Sequence, residues 1–225
     1  MTAKPQRTER RAGALSKARI VEAAIEILDA GGESALTFRA LAARLATGSG
    51  AIYWHVADKN ELLAAAADQV VARVMAGLGG EADPRAAIRA IALGVFDAID
   101  DHPWVGAQFF REPWRSAPLQ IFEGVGGRLQ ALGVPERAQF DCVSALVNYI
   151  LGVAGQNAAN ARLAREADRT DRSAFLASVA ARWAQLDPQA HPFVRRMATP
   201  LREHDDREQF LAGVDLILAG IATVR

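Results

Sequence analysis

Residues 36–70 of the chain read LTFRALAARLATGSGAIYWHVADKNELLAAAADQV. Thr37 suits a helix N-cap, and apolar residues recur after it at helical spacing as far as Leu45. A short break at residues 46–48 precedes a compact segment that ends at Val56. A helix, a tight turn and a second short helix predict a helix-turn-helix, whose second helix is sized for the major groove of B-DNA.

The second helix of this pair begins with small residues, which allow close approach to a groove: Gly48, Ser49, Gly50 and Ala51. The apolar residues Ile52 and Val56 are expected to face the core. Three aromatic side chains then point outward and can pack on sugars or reach phosphates, namely Tyr53, Trp54 and His55. Taken singly, Tyr53 and Trp54 are better interpreted as core aromatics. Within the whole motif, DNA contact is the favoured interpretation.

A longer helix is predicted after Asp58, which suits its N-cap. Apolar residues follow at the helical period, and the helix is expected to stop near the glycines of residues 77–80. Lys59 stands beside the free amides of the first turn, where the helix dipole favours negative charge. We therefore expect Lys59 to bind a phosphate.

The rest of the chain also predicts helices, and strand patterns are scarce, so the expected fold class is all-α. Ser16 caps a first helix that ends at Gly31 and Gly32. Later helices are expected over residues 84–101, through Phe110, and over 117–132, 136–165, 174–186 and 206–224. Residues 187–202 contain three prolines and are predicted to form a mobile connection.

Three regions follow from this organisation: a disordered basic tail (1–15), a DNA-binding domain (16–62), and a helical effector-binding and dimerisation domain (63–225). The 225 residues carry no net charge, but residues 1–60 hold nine Lys and Arg against six Asp and Glu. A cationic front is weak support for a phosphate-facing module. The arginines of the tail are expected to be solvated. The alternative is that the tail is an arm that binds in the minor groove of DNA.

Other classes of protein are disfavoured by composition. Cys142 is the only cysteine, which excludes an internal disulfide framework or a cysteine-based metal site, so a buried structural thiol is expected. The longest apolar run, residues 143–155, falls short of the roughly 20 residues that a membrane span needs. No apolar stretch follows the basic N-terminus as in a secretory signal, so the predicted location is the cytoplasm.

The run Tyr53–Val56, followed by Asp58, Lys59 and Leu62–Leu63, resembles the TetR family of transcriptional regulators, and especially its tetracycline-repressor branch. The resemblance implies a homodimeric repressor that binds double-stranded operator DNA and is released by a small effector. It implies phosphate contacts from Thr37, Tyr53, His55 and Lys59, and base or backbone contacts from Arg39, Thr47, Ser49 and Gly50. With Gly48 and Trp54, these are the predicted DNA-binding residues.

The turn departs from the family pattern, which usually has glycine and then an apolar residue where this chain has Ala46 and Thr47. Gly48 also replaces a polar capping residue. Because the β-carbon of alanine disfavours left-handed backbone, we expect the turn to be wound differently here. The recognition helix has few long donors, so base reading is expected to depend on Ser49, Thr47 and Arg39, with DNA shape contributing.

Aromatic residues cluster between Phe96 and Phe122 and predict a pocket for a small, largely apolar or aromatic effector. The predicted ligand-binding residues are His102, Trp104, Phe109, Phe110, Trp114, Phe122, Asn148 and Gln156. Core packing is the alternative for the aromatics, and a partner-facing surface is the alternative for Asn148 and Gln156. His102 occupies the place of a metal-contacting histidine in the tetracycline branch, but Pro103 follows it and the ring can simply cap a turn. Neither a metal, a cofactor nor tetracycline is predicted.

The helices over residues 136–165 and 206–224 fit the family's dimer-forming pair. Small residues on the first would allow close helix approach: Gly152, Ala154, Gly155, Ala158 and Ala159. Apolar area on the second would come from Phe210, Leu211, Leu218 and Ile221. A two-fold dimer calls for a palindromic operator, and a ligand that favours another separation of the reading helices would release DNA.

Two rival functions remain. An enzyme is disfavoured because the sequence contains no HExxH, GxSxG, P-loop or cysteine pair, and the acidic cluster 203–206 is simpler as a solvated linker. A helical adaptor or small-molecule-binding protein without sequence-specific DNA binding is the second rival.

Overall fold

A computed structural model describes residues 15–78, 82–111, 116–166 and 172–224, without the side chains of residues 110 and 161–166. Its elements are all helices, which confirms the all-α prediction for the described residues. They are α1 (Lys17–Ala35), α2 (Phe38–Arg44), α3 (Ser49–Tyr53), α4 (Lys59–Gly77), α5 (Pro84–Asp101), α6 (Pro103–Arg111), α7 (Ser116–Ala131), α8 (Glu136–Glu166), α9 (Arg172–Ala184), α10 (Pro192–Arg202) and α11 (Asp206–Ile221).

Helices α1, α2 and α3 form a small N-terminal unit around a shared apolar core. Ser16 caps α1 as predicted, since its hydroxyl accepts a hydrogen bond from Arg19 N at 3.3 Å. The core of this unit includes Ile20, Leu28, Leu41, Ile52 and Val56, all of which are at most 1% exposed. The inward positions inferred for Ile52 and Val56 are therefore confirmed.

The two ends of α1 differ from expectation. Leu15, which the sequence assigned to the disordered tail, packs against the core, and residues 1–14 lie outside the described part. The predicted stop at Gly31 and Gly32 is a kink rather than an end. Gly32 has φ 67° and ψ −170°, a conformation that glycine adopts without steric cost, and α1 then continues to Ala35.

Helix α4 leaves the N-terminal unit and runs through the larger body of the protein. Asp58 caps it by accepting from Glu61 N at 2.8 Å, and the Glu61 carboxylate in turn accepts from Ala57 N at 2.7 Å. The helix packs against α1 on one side and against α5, α6 and α7 on the other. The helix therefore continues without a break through residue 62, where the sequence predicted the boundary between the two domains.

The larger body is built by α5, α7, α8 and α11, which pack on one another along their apolar faces. At its centre Phe210 stacks on Phe96 at a centroid distance of 4.7 Å and on Tyr149 at 5.8 Å. Cys142 is buried, as expected for a structural thiol, and burial with the neighbouring Asp141 carboxylate raises the pKa of its thiol.

Helices α9 and α10 form a hairpin that packs mainly on itself. The prediction that residues 187–202 form a mobile connection is wrong, because residues 192–202 form α10. Pro192 sits in the first turn, where its missing N–H costs no helical hydrogen bond. Pro200 lies in the exposed last turns of the helix, so water can satisfy the carbonyl that it leaves unpaired.

One helix of the described residues, α8, contains a segment that is long and apolar enough to cross a membrane by length and composition, residues 136–160. Its apolar character has an explanation within the fold. Leu146 and Ile150 are fully buried and Val143 is 3% exposed, because this face of α8 packs against α5, α6, α7 and α11. The pattern is that of a core helix.

Candidate nucleic-acid interface and effector cavity

The turn between α2 and α3 is left-handed at Ala46, with φ 51°. The expectation that alanine would force a differently wound turn is therefore wrong. Two hydrogen bonds hold the conformation, from Ala46 N to Ala43 O at 3.2 Å and from Thr47 N to Ala42 O at 3.0 Å. Buried Ile52 fixes α3 from the other side, so tertiary packing overrides the local steric preference of alanine.

The outer surface of α3 is open. Ser49, Gly50 and Trp54 are exposed, as are Gly48 before the helix and Arg39 on α2. Trp54 is 89% exposed, so the core-aromatic alternative is wrong for this residue. A β-carbon added at Gly48 or Gly50 would meet no atom within 4 Å, which means that packing inside the chain does not require glycine at either position.

Tyr53 fits both interpretations that the sequence left open, since part of its side chain packs within the chain and part is exposed for contact with DNA. Its ring stacks on Phe38 of α2 at a centroid distance of 4.3 Å and an interplanar angle of 5°, yet the residue is 55% exposed. The stack fixes the orientation of the ring while the rest of the side chain faces solvent. Thr47 and His55, two further predicted DNA contacts, are half-buried at the two ends of α3.

Thr37 and Lys59 already have partners within the chain. Thr37 is exposed, and its hydroxyl caps α2 by accepting from Ala40 N at 3.1 Å. The Lys59 ammonium donates to the main-chain oxygen of Glu33 at 2.6 Å. The predicted phosphate contact of Lys59 would therefore share or exchange this hydrogen bond, and it stays a prediction.

Two acidic residues in the C-terminal part of α1, Asp29 and Glu33, contact α6 and the residue just before it. Asp29 Oδ1 accepts from Trp104 Nε1 at 2.8 Å and lies 2.7 Å from His102 Nδ1. Four residues later, the Glu33 carboxylate binds the Arg111 guanidinium through two contacts, at 3.0 and 2.9 Å. Helix α6 therefore connects the N-terminal unit to the larger body.

These contacts change the interpretation of His102 and Trp104. Both were predicted to bind a ligand, but the structure engages both with Asp29, and Trp104 is only 8% exposed. His102 also ends α5 as its C-cap, through its backbone N–H, whereas its ring contacts Asp29. Among the described residues, no group of three or more His, Cys, Asp or Glu side chains is arranged to hold a metal ion.

A cavity of about 300 Å³ lies between α4, α6 and α7. Its apolar lining comes from Ala64, Ala67, Phe109, Ala117 and Pro118. Its polar lining comes from Asn60, Asp68, Gln108 and Arg111. The cavity is therefore more polar than the predicted aromatic pocket, and Arg111 belongs both to its wall and to the contact with α1.

The predicted ligand residues are not gathered in this cavity. Phe109 lines it, but Phe122 packs near Phe140 at a centroid distance of 6.2 Å, between α7 and α8. Asn148 and Gln156 are exposed on α8, which agrees with their alternative role on a partner-facing surface. The side chain of Phe110 and the whole of Trp114 lie outside the described residues.

Sequence reasoning missed the residues that shape this region: Asp29, Glu33, Asp68, Gln108 and Arg111. Two signals were present. Asp29 lies toward the C-terminal end of its helix, where the dipole disfavours negative charge, so a compensating partner was to be expected. Asp68 lies four residues after Ala64, beside the inward stripe of α4, where a carboxylate is unusual.

The exposed faces of α8 and α11 differ from those predicted for the dimer. Ala154 and Ala158 on α8 are buried within the subunit, as are Phe210, Leu218 and Ile221 on α11, so these residues cannot supply a partner interface. Gly152 and Ala159 are exposed, and Leu216 on α11 is 75% exposed. The outer stripe of α11 contains Gln209, Ala212, Leu216, Ala219 and Gly220.

Two family models match the chain. The model described as bacterial regulatory proteins, tetR family, matches residues 20–66, and the model described as tetracyclin repressor-like, C-terminal domain, matches residues 77–225. The first covers the N-terminal unit with its exposed α3. The second covers the larger body, including α5 to α11.

Similar proteins include an HTH-type transcriptional regulator of Saccharopolyspora erythraea, which is 28% identical over 97% of this chain and 89% of its own length. Among solved structures, the transcriptional regulator SCO7222 of Streptomyces coelicolor, a TetR, is 52% identical with a TM-score of 0.84, covering 94% of this chain and 99% of that one. BioQ with its double-stranded DNA operator is 25% identical with a TM-score of 0.61, covering 93% and 99%.

Proposed function

Since the chain belongs to the TetR family and is a DNA-binding transcriptional regulator, we propose that it is a repressor released from its operator by a small molecule. The observation that carries this proposal is the open surface of α3. Trp54 stands almost fully in solvent at the end of a five-residue helix, and neither Gly48 nor Gly50 has a packing role within the chain. Such a surface suits close approach to a groove of DNA.

We propose that Ser49, Gly50 and Trp54 meet the groove, with Arg39 and Tyr53 beside them. The stack of Tyr53 on Phe38 holds the phenol in one orientation, which lowers the entropic cost of a phosphate contact. Thr37, Thr47, Gly48, His55 and Lys59 complete the proposed set of DNA contacts. BioQ, a relative with the same fold, has been solved with its own DNA operator.

Selection from a random DNA library, followed by gel shifts across a salt series, tests this function. We expect enrichment of palindromes whose half-sites lie about 10 base pairs apart, and an affinity that falls steeply with salt. Trp54→Ala should weaken binding while leaving the melting temperature unchanged, because Trp54 is 89% exposed. Phe193→Ala, at an exposed aromatic on α10, is the matched control. Absence of any shift at low salt would favour the helical adaptor.

The homodimer is proposed to form through α8 and α11. Support comes from small exposed residues on α8, such as Ala145 and Gly152, and from Leu216 on the outer stripe of α11. Small residues let two helices approach closely, and Leu216 would supply apolar area that the isolated subunit leaves in solvent. A two-fold pair of subunits presents both copies of α3 to one side of the DNA.

The cavity between α4, α6 and α7 is proposed as the effector site. Arg111 lines it and also binds Glu33 of α1, so a ligand that moves α6 would change the orientation of the DNA-binding unit. Asp29, held by His102 and Trp104, is the second contact through which α6 acts on α1. Release of DNA requires that the ligand bind the two orientations with different affinity.

The domain limits are proposed as residues 16–62 for DNA binding and 63–225 for effector binding and dimerisation, with α4 continuous across the boundary. The proposed site of action is the cytoplasm, where the DNA of a bacterial regulator lies. An enzymatic role is not proposed, because the family consists of transcriptional regulators.

A further inference from the structure

Glu33 makes two contacts that connect different parts of the molecule. Its carboxylate binds the Arg111 guanidinium through two contacts, at 3.0 and 2.9 Å, and Arg111 lines the cavity. Its main-chain oxygen accepts from the Lys59 ammonium at 2.6 Å. One residue of α1 therefore lies between the wall of the cavity and the lysine that is proposed to bind a phosphate of DNA.

The path of α1 explains why Glu33 can hold Lys59. Gly32 leaves the helical path with φ 67°, and α1 ends soon afterwards at Ala35. A carbonyl in the last turn of a helix has no partner within the helix, and a lysine side chain can supply one. An ammonium carries three N–H groups, so Lys59 keeps two of them for another acceptor. The Glu33 carbonyl therefore fixes the ammonium at the start of α4 and leaves it able to bind a phosphate.

The Arg111 guanidinium also neutralises the charge of the Glu33 carboxylate, through a pair of contacts with defined geometry. If Arg111 moved away, an unneutralised carboxylate would lie on the same residue that contacts the Lys59 ammonium. That carboxylate would compete with a DNA phosphate for the ammonium, because both are anions. The side chains of Arg111 and Glu33 are 49% and 34% exposed, so breaking the pair should change the stability of the fold little.

We propose that Glu33 is a positioning residue for DNA binding, and that a change in the cavity affects DNA affinity through Arg111, Glu33 and Lys59. While Arg111 holds the Glu33 carboxylate, the Lys59 ammonium is available to a phosphate. A molecule in the cavity that draws Arg111 away would release the carboxylate toward Lys59 and weaken DNA binding. The inference rests on the proposed function, since it takes Lys59 as a phosphate contact and this cavity as the effector site.

A double-mutant cycle tests the inference without an effector. Arg111→Met removes the guanidinium and Lys59→Met removes the ammonium, and these two groups contact different atoms of Glu33. The probe is a fluorescent duplex that carries the palindrome selected from the random library. Lys59→Met should weaken binding at least about tenfold, as expected for the loss of a charged hydrogen bond in each subunit. It should also reduce the slope of log affinity against log salt by about 2 in the dimer.

Arg111→Met alone should weaken DNA binding about three- to tenfold, because a part-exposed ion pair contributes modestly in each of two subunits. In the Lys59→Met background the same change should alter the affinity by less than about twofold, since the ammonium through which it acts is gone. A merely structural role of Arg111 would weaken binding equally in both backgrounds. Arg207→Met is the matched control, because Arg207 is 53% exposed and binds the Asp97 carboxylate through two contacts at 3.1 Å. It should leave DNA affinity unchanged.

Glu33→Met separates the carboxylate from the main-chain oxygen of the same residue. The variant keeps the oxygen that holds Lys59 and removes the competing negative charge. Added to Arg111→Met, it should restore DNA affinity to within about twofold of the wild type. The same addition should have no effect when Lys59 is also replaced by methionine.

Two results would overturn the inference and leave the regulator function standing. One is an equal effect of Arg111→Met with and without the Lys59 ammonium, and the other is the absence of rescue by Glu33→Met. An unchanged affinity and salt slope in Lys59→Met would overturn it as well, because the ammonium would then not meet a phosphate. Absence of DNA binding by the wild-type protein would overturn both the inference and the proposed function.

Discussion

Replacing Asp29 with alanine is expected to lower the thermal stability of the protein, because this carboxylate ties the DNA-binding unit to the larger body. Asp29 Oδ1 accepts from Trp104 Nε1 at 2.8 Å and lies 2.7 Å from His102 Nδ1. Trp104 is 8% exposed, so its indole N–H is shielded from water once the carboxylate is gone. The variant therefore leaves a buried donor unpaired.

The size of the effect follows from the burial of the two donors. An unpaired buried donor costs roughly 1–3 kcal/mol, and the more accessible His102 ring adds about 0.5 kcal/mol because water can replace its partner. The total is about 2 kcal/mol. In a chain of this size 1 kcal/mol shifts Tm by about 2–4 °C, so Asp29→Ala should lower Tm by about 4–8 °C.

Scanning calorimetry of a small set of variants measures this effect. Asp29→Asn keeps one acceptor oxygen and should lose about half as much stability. Trp104→Phe removes the donor, so Asp29→Ala should cost less in that background than in the wild type. Asp97→Ala is the control, because it removes an exposed carboxylate from a comparable pair with Arg207 and should cost less than about 1 kcal/mol. Equal melting temperatures for Asp29→Ala and Asp97→Ala would refute the reasoning.

Three further substitutions test the turn, the core and the dimer. Ala46→Gly should raise the free energy of unfolding by about 0.5–1 kcal/mol, because glycine adopts a φ of 51° without steric cost; a lower urea midpoint would contradict this. Gly213→Ala should lower the free energy of unfolding by about 1–3 kcal/mol, because a new β-carbon would overlap the Tyr149 side chain. An unchanged urea midpoint would count against this. Leu216→Glu should give a folded monomer in sedimentation velocity, because Leu216 is 75% exposed in the subunit and is proposed to lie in the interface. The control Leu119→Glu changes an exposed leucine on α7 and should stay dimeric. A dimer for both variants would refute the proposed interface.

The helix-turn-helix was predictable because its signals are local. Thr37 and Asp58 cap the helices that they were expected to cap, and Ile52 and Val56 occupy the inward positions that helical spacing gives them. The error at Ala46 shows the limit of local reasoning. A steric preference of about 1–2 kcal/mol is overridden when packing on both sides of the turn fixes the path of the chain.

The proposed effector cavity was not predictable in the same way, because its polar residues come from helices that are distant in sequence. Aromatic composition alone assigned Trp104 to a ligand, whereas the partner of its indole lies 75 residues away on α1. Nothing in the spacing of residues 96–122 indicates which carboxylate will accept the hydrogen bond from the Trp104 indole. Composition also could not show that Gln108 would be half-buried and line the same cavity as Asp68, whereas Asn148 is exposed.

Helix α6 lines the cavity and also contacts α1 of the DNA-binding unit, so one helix links the two regions directly. Trp104 and Arg111 are seven residues apart and so lie on the same helical face, where both contact α1. Gln108 lies beside that face and lines the cavity. At a rise of 1.5 Å per residue, the stretch of α6 from Trp104 to Arg111 is about 10 Å long. A ligand that displaces α6 must therefore either move α1 with it or break the contacts that α6 makes with Asp29 and Glu33. We propose that either response would reorient α3, and that the difference in the ligand's affinity for the two arrangements would set how far DNA binding changes.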